Sequence, residues 1–275
     1  MTVPDTAIIP CGGLGTRMLP VSRWLPKELL PVSLVPLIHW ALAEAADAGL
    51  ARAIVVTNPA KPILGEVARA FERPGFAVEL VSQARPAGLG DAMLRARDPI
   101  GDRPFAVVLP DNLFRGPNQT AAVLAEWRRL RLASVLIAEI TAGEAGSKGA
   151  TGRARVRDEA DGSLRVTDLA DKGRGRFDPG GHRAATPIGR MVLPSAAWGE
   201  LEDMARSLPA GAELDDVPLL QRLARRGVLA GVRCTAEFFD VGVPEGYRLA
   251  VAAFPPTGAP SGRTVPRRPG RPDVG

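Results

Sequence analysis

Short apolar runs bounded by turn residues alternate along this chain with stretches of helical periodicity, and that alternation restricts the fold more than any other feature. Residues 6–10, 53–57, 77–82, 105–109 and 134–140 read as strands, and residues 37–48, 61–71, 89–97 and 120–131 read as helices between them. The pattern predicts a Rossmann-like three-layer α/β/α protein with a mainly parallel mixed sheet. Beyond Ile140 the rhythm breaks into a glycine-rich loop (143–152), two alternating runs at 153–157 and 164–169 around Asp161-Gly162, and a second loop at 173–186. Those runs read as a small inserted β-hairpin. A strand at 188–193, helices at 196–207 and 217–226, a strand at 228–234 and a helix at 245–253 complete one domain over residues 1–254.

The last 21 residues, 255–275, hold six prolines and four glycines and almost nothing apolar. Such a segment buries too little surface to offset its ordering entropy, so disorder is expected there. It also explains most of the basic charge: Arg263, Arg267, Arg268 and Arg271 against Asp273 supply +3 of the net +5, leaving +2 for the body. A basic face tracking a polynucleotide is therefore not expected. No apolar run approaches the roughly 20 residues that span a bilayer. Residues 1–5 lack a basic region and a cleavage site. These features predict a cytoplasmic protein with small-molecule partners, no nucleic acid and no membrane. Cys11 and Cys234 are isolated, as are His39 and His182, which excludes a zinc-ligand pattern and gives neither histidine a catalytic role.

The first strand runs into Gly12-Gly13-Leu14-Gly15-Thr16-Arg17, and Pro20, Pro26 and Pro31 forbid a long helix afterwards. Glycines let backbone N–H groups approach an anion closely, while Arg17 and Lys27 can neutralise it. Neither a Walker P-loop nor a dinucleotide fingerprint is present. Lysine is scarce, with Lys27, Lys61, Lys148 and Lys172 the four in the chain. Lys27 and Lys172 are expected to be functional, Lys61 and Lys148 close to silent.

The ordered series Pro10-x-Gly12-Gly13-Leu14-Gly15-Thr16-Arg17-Met18-Leu19-Pro20, Pro26-Lys27-Glu28-Leu29-Leu30-Pro31 and Pro36-Leu37-Ile38 resembles the signature of the sugar-phosphate nucleotidylyltransferases, and within them the bacterial UTP–glucose-1-phosphate uridylyltransferases. Gln83 with Gly88-Leu89-Gly90-Asp91-Ala92, Leu109-Pro110-Asp111, Gly189-Arg190 and Phe239-Asp240-Val241-Gly242 with Gly246-Tyr247 follow in the family's order. The resemblance implies Mg²⁺-dependent transfer of a uridylyl group from UTP to glucose 1-phosphate or a related hexose 1-phosphate, and a homo-oligomer. It implies catalytic roles for Arg17, Lys27 and Lys172, and nucleotide contacts from Gly12, Gly13, Gly15, Thr16, Gln83 and Gly88. Gly152 and Asp171 fall on the sugar side, within residues 143–187, and Asp111 and Asp240 are the implied metal ligands.

The chain departs from the pattern at Val35, where a lysine is usual, at Asp171-Lys172-Gly173 in place of Glu-Lys-Pro, at Val243, and in lacking an asparagine at residues 183–188. Most of these changes lie on the sugar side. A thymidylyltransferase using dTTP and a weakened regulatory paralogue that binds sugar nucleotides are the alternatives.

Overall fold

The computed structural model describes residues 2–173 and 177–255; the expected disorder of the tail falls, but for Pro255, outside the described residues. In chain order the strands are β1 (Thr6–Cys11), β2 (Pro31–Val32), β3 (Val35–Pro36), β4 (Arg52–Thr57), β5 (Ala77–Ser82), β6 (Phe105–Val108) and β7 (Asn112–Arg115). They continue with β8 (Ala133–Thr141), β9 (Ala154–Asp158), β10 (Leu164–Leu169), β11 (Arg183–Leu193), β12 (Leu229–Arg233) and β13 (Glu237–Asp240). The helices are α1 (Leu37–Asp47), α2 (Pro62–Arg69), α3 (Leu89–Arg95), α4 (Arg97–Ile100), α5 (Gln119–Leu130), α6 (Ala197–Ser207), α7 (Val217–Arg225) and α8 (Pro244–Ala253).

Nine strands form one sheet in the order β5-β4-β1-β6-β11-β8-β12-β10-β9. Strands β5, β4, β1 and β6 run parallel, as the strand–helix alternation requires. From β6 onward the sheet is mixed. Strand β11 is antiparallel to both β6 and β8, only β8 and β12 pair in parallel, and β10 and β9 are again antiparallel. Strand β11 has 11 residues, and no helix lies between β10 and β11 among the described residues. Its first residues, 183–186, fall in the expected second loop; Pro187 is accommodated next to a register shift between Ile188 and Met191. The β9–β10 pair sits at the sheet edge rather than as a separate insert.

Side-chain alternation along the central strands makes two apolar cores on opposite faces. Ala7, Ile9 and Cys11 of β1, with Ala53 and Val55 of β4 and Ala106 and Val108 of β6, join α1, α2 and α5 on one face. Ile8, Ile54, Val56, Phe105 and Val107 meet α3, α6 and α7 on the other. Phe105 and Trp198 stack there with ring centroids 4.0 Å apart.

A third, smaller core explains how the proline-rich segment is held without regular structure. Met18, Leu30 and Val32 insert beside Leu37 and Trp40 of α1, Leu113, Phe239, Val241 and Ala250. Trp40 Nε1 donates to the Val32 carbonyl at 3.2 Å, and Tyr247 Oη donates to the Pro31 carbonyl at 2.8 Å. Burying such side chains contributes about 1.5–3 kcal/mol each. The segment carrying Lys27 is thereby fastened against β7 and β13, a two-stranded pair absent from the sequence reading because it joins segments distant in the chain.

Candidate functional site

Strand β1 lies between β4 and β6, so the order in which strands are added reverses there, and the carboxyl ends of β1 and β6 open side by side. Cys11 hands over to the glycine loop at one end, and Val108 to Leu109-Pro110-Asp111 at the other. Two cavities adjoin at this point. One is lined by Gly12, Gly13, Leu14, Thr16, Lys27, Gln83, Gly88 and Asp111. The other is lined by Arg17, Asp111, Lys148, Gly149, Thr151, Lys172, Gly189, Asp216 and Asp240. Asp111, Leu89 and Leu109 belong to both.

Lys27 Nζ is ion-paired to Asp111 Oδ2 at this junction. Burial alone would lower the Lys27 pKa, but the Asp111 and Glu28 carboxylates outweigh it and hold the ammonium above its ordinary value. Burial opposes ionisation of Asp111 too, and Lys27 followed by Arg17 more than compensates, keeping its carboxyl low. Asp240 differs: burial and then the negative charge of Asp111 push it up, although Gly149 N–H donates to Oδ2 at 2.6 Å and Gly242 N–H to Oδ1 at 3.0 Å. Both carboxylates face Gly242, where a Cβ would lie 2.8 Å from Asp111 Oδ2 and 3.1 Å from Asp240 Oδ1. Only glycine leaves room between them. Among the described residues no group of three or more His, Cys, Asp or Glu side chains is arranged for a metal.

The Asp111 turn is braced from beneath by a buried pair missed in the sequence. Arg190 Nε and Nη2 donate to the two carboxylate oxygens of Glu44 at 2.9 and 2.6 Å. The remaining guanidinium donors reach the carbonyls of Leu109 and Asn112 at 2.9 Å, on either side of Pro110-Asp111. Glu44 also accepts from Thr120 N–H and Oγ1, and Arg190 lies 4.7 Å from the Phe114 ring centroid. A lone glutamate in an otherwise apolar α1 face was the available signal. Asn112 adds a bond to Asp111 Oδ1 at 3.1 Å and accepts from Gly189 N–H at 3.0 Å.

On the first cavity's far wall Gln83 is buried, with Nε2 donating to the Gly88 carbonyl at 3.1 Å and to Asp91 Oδ2 at 2.8 Å. Gly88 has φ of 96° and abuts the Leu214 backbone, a position closed to other residues on both counts. Gly15, with φ of 67°, starts the turn carrying Thr16 and Arg17. Arg17 closes over Gly149 on the second cavity.

The sugar-side residues are less convergent. Lys172 Nζ donates to Asp215 Oδ1 at 2.6 Å and Asp216 Oδ1 at 2.8 Å. Asp216 is held down to about 2, where Lys172 outweighs burial, and Asp215 is pushed up to about 6 by burial and by Asp216. Asp171 is exposed, accepts from Gln221 Nε2 at 2.8 Å, and does not line the cavity. Gly152 packs beneath the cavity, against the Ala170 carbonyl, and its own carbonyl accepts from Thr186 Oγ1 at 2.8 Å.

The two lysines expected to be close to silent both have protein hydrogen-bond partners. Lys148 is buried, donates to the Phe238 carbonyl at 2.7 Å and lies 4.4 Å from the Phe238 ring centroid, and it precedes the Gly149 amide that bonds Asp240. Lys61 reaches beneath the glycine loop to the carbonyls of Cys11 and Gly13 at 2.9 and 2.5 Å and to Glu28 at 3.1 Å. Scarcity of lysine marked both; no local motif did.

A UTP–glucose-1-phosphate uridylyltransferase of Klebsiella pneumoniae is 29% identical over 90% of this chain and 91% of its own length. A UDP-glucose pyrophosphorylase structure in complex with UDP-glucose superposes with a TM-score of 0.74 at 26% identity, covering 91% of this chain and 98% of the other. An apo UDP-glucose pyrophosphorylase shares the fold with a TM-score of 0.76, over the same shares of both chains, at 24% identity. The profile of the nucleotidyl transferase family spans residues 6–145, more than half of the chain, and takes in the glycine loop, Lys27, Gln83 and Asp111, so that the chain belongs to the nucleotidyl transferases.

Proposed function

We propose that the protein transfers a uridylyl group from UTP to glucose 1-phosphate, or a closely related hexose 1-phosphate, with release of pyrophosphate. The observation that carries the reading is the Lys27–Asp111 pair at the junction of two adjoining cavities, one edged by the glycine loop and Gln83, the other by Arg17, Lys172 and Asp240. The names of the relatives support UTP and glucose 1-phosphate as the occupants. We read the sheet with apolar cores on both faces as the Rossmann-like three-layer form.

A sugar 1-phosphate is already largely dianionic at neutral pH and attacks without a general base. The site accordingly presents cations and amides rather than a histidine or serine. In this reading Arg17 and Lys27 draw two anions together and stabilise charge on the α-phosphate. Lys172 keeps one of its three donors beyond the two given to Asp215 and Asp216, enough for one bond to the sugar phosphate. Gln83 offers an amide oxygen at the edge of the base pocket, Nε2 being committed to Gly88 and Asp91.

Asp111 and Asp240 fit a magnesium ion: two hard carboxylates face one glycine, and burial together with repulsion from Asp111 raises Asp240. Bound Mg²⁺ would neutralise charge building on the transferring and departing phosphates. Pyrophosphate release with UTP, Mg²⁺ and glucose 1-phosphate, with UDP-glucose as the second product, tests the reading. A higher kcat/KM with dTTP than with UTP turns the assignment to thymidylyl transfer, and no turnover with any hexose 1-phosphate turns it to a regulatory sugar-nucleotide binder.

A further inference from the structure

Lys61 is the first residue past the turn that follows β4, remote in sequence from the glycine loop, yet its side chain is only 11% exposed. An ammonium has three N–H donors. Lys61 has a protein acceptor for each: the Cys11 carbonyl, the Gly13 carbonyl and the Glu28 carboxylate. Nothing is left over for a ligand, and Lys61 does not line the cavity that Gly12, Gly13 and Leu14 edge. It works from behind the loop.

The consequence follows from peptide geometry. In a trans peptide the carbonyl and the N–H of the next residue point to opposite sides. Holding the Cys11 and Gly13 carbonyls toward Lys61 turns the N–H groups of Gly12 and Leu14 the other way, toward the cavity. Among the described residues no protein acceptor takes the N–H of Gly12, Gly13 or Leu14. Successive free amides aimed into one concavity make an anion cradle. Glu28 has a second part in this, because it is 1% exposed and adjoins Lys27. The Lys61–Glu28 pair ties the glycine loop to the segment that carries the cleft's own lysine.

We infer that Lys61 is a positioning residue that aims the Gly12 and Leu14 amides at the nucleotide triphosphate, a role that rests on the nucleotide reading above. It touches neither substrate nor reacting atoms. Loss of Lys61 should therefore weaken recognition of phosphate while sparing recognition of the base and ribose.

Equilibrium binding of Mg²⁺-UTP and of uridine to the full chain, without sugar phosphate, separates these effects. Lys61→Met is expected to weaken UTP roughly tenfold or more, the scale of a lost bond network to a charged group, and to change uridine affinity by less than about twofold. Lys61→Gln keeps a donor for one carbonyl and folds where Met is not tolerated; it is expected to show the same selective loss in smaller measure. Parent-like UTP binding by either folded variant overturns the role. Equal weakening of UTP and uridine also overturns it, because that is what general loosening of the site would produce. A parent protein that gains no affinity from uridine to UTP removes the nucleotide reading itself, an outcome visible without any variant.

Discussion

On the nucleotide side of the cleft, residues 10–31 form one continuous stretch whose backbone is tied at Cys11, Gly13 and Pro31, whereas on the sugar side Gly152, Asp171 and Lys172 each turn to a different neighbour. The proposed nucleotide side is cross-tied, with a third apolar core under it and the Arg190–Glu44 brace beneath Asp111. On the sugar side Lys172 is already shared between two carboxylates. Preorganised groups stabilise a transition state without reorganising, so the larger part of the catalytic effect is expected from the first region.

Substitution of the two junction carboxylates tests this most severely. Asp111→Asn and Asp240→Asn should each lower kcat roughly a thousandfold, as expected when a charge-stabilising element of phosphoryl transfer is removed. Asp240→Asn should lower stability by about 1–3 kcal/mol, because its NH2 meets the Gly149 or Gly242 amide, and Asp111→Asn by somewhat more, because Lys27 is left without its carboxylate partner. Near-normal turnover in either variant would take that residue out of the metal site. Lys27→Ala should follow at roughly a hundredfold in kcat, because removing it strips the counter-charge from Asp111 as well as from the phosphates.

The brace beneath the nucleotide side should show in stability. Arg190→Met leaves Glu44 buried without its partner and is expected to lower unfolding free energy by about 3–5 kcal/mol in urea titration. The double variant Arg190→Met/Glu44→Met should be less destabilised than Arg190→Met alone, since no charge is stranded. A double variant as unstable as the single one would mean that the carbonyl bonds to Leu109 and Asn112, rather than the pairing, dominate.

The same contrast governs what could be read from the sequence. Strands β1, β4, β5 and β6 and the glycine–proline–lysine stretch were legible because period and punctuation are local properties. The β7–β13 pair, the antiparallel placement of β11 and the Arg190–Glu44 pair were not, because each joins segments distant in the chain. The partners of Lys61 and Lys148 were not legible for the same reason: their acceptors belong to other elements, and a lysine in a loop carries no mark of what lies beneath it. Asp171 and Lys172 stand together in sequence, yet their side chains diverge, to Gln221 and to Asp215 and Asp216.

Lys172 is expected to have an intermediate effect. Lys172→Met should raise the KM for glucose 1-phosphate about tenfold, the loss of one charge-assisted bond, with a smaller change in kcat. It should also lower stability by about 1–3 kcal/mol, because buried Asp216 loses its cationic partner. A large fall in kcat at unchanged stability would show that Lys172 leaves the two aspartates for the substrate and that the sugar side is assembled only on binding.

Asp171 should give the smallest effect and bears most directly on that point. Its carboxylate accepts from Gln221 at the surface and lines neither cavity, and at that distance from the reacting groups its charge is screened by solvent. Asp171→Ala is therefore expected to change the KM for glucose 1-phosphate by less than about threefold, and Asp171→Glu, one methylene longer, by no more. Gln221→Ala supplies the control: if Gln221 merely occupies an idle carboxylate, freeing Asp171 leaves the KM where it was. Should Asp171→Ala instead raise that KM tenfold while Gln221→Ala lowers it, the carboxylate is in competition between Gln221 and the sugar hydroxyls. The sugar side would then differ from the nucleotide side in the timing of its assembly, with the same kinds of contact made only once the second substrate has bound.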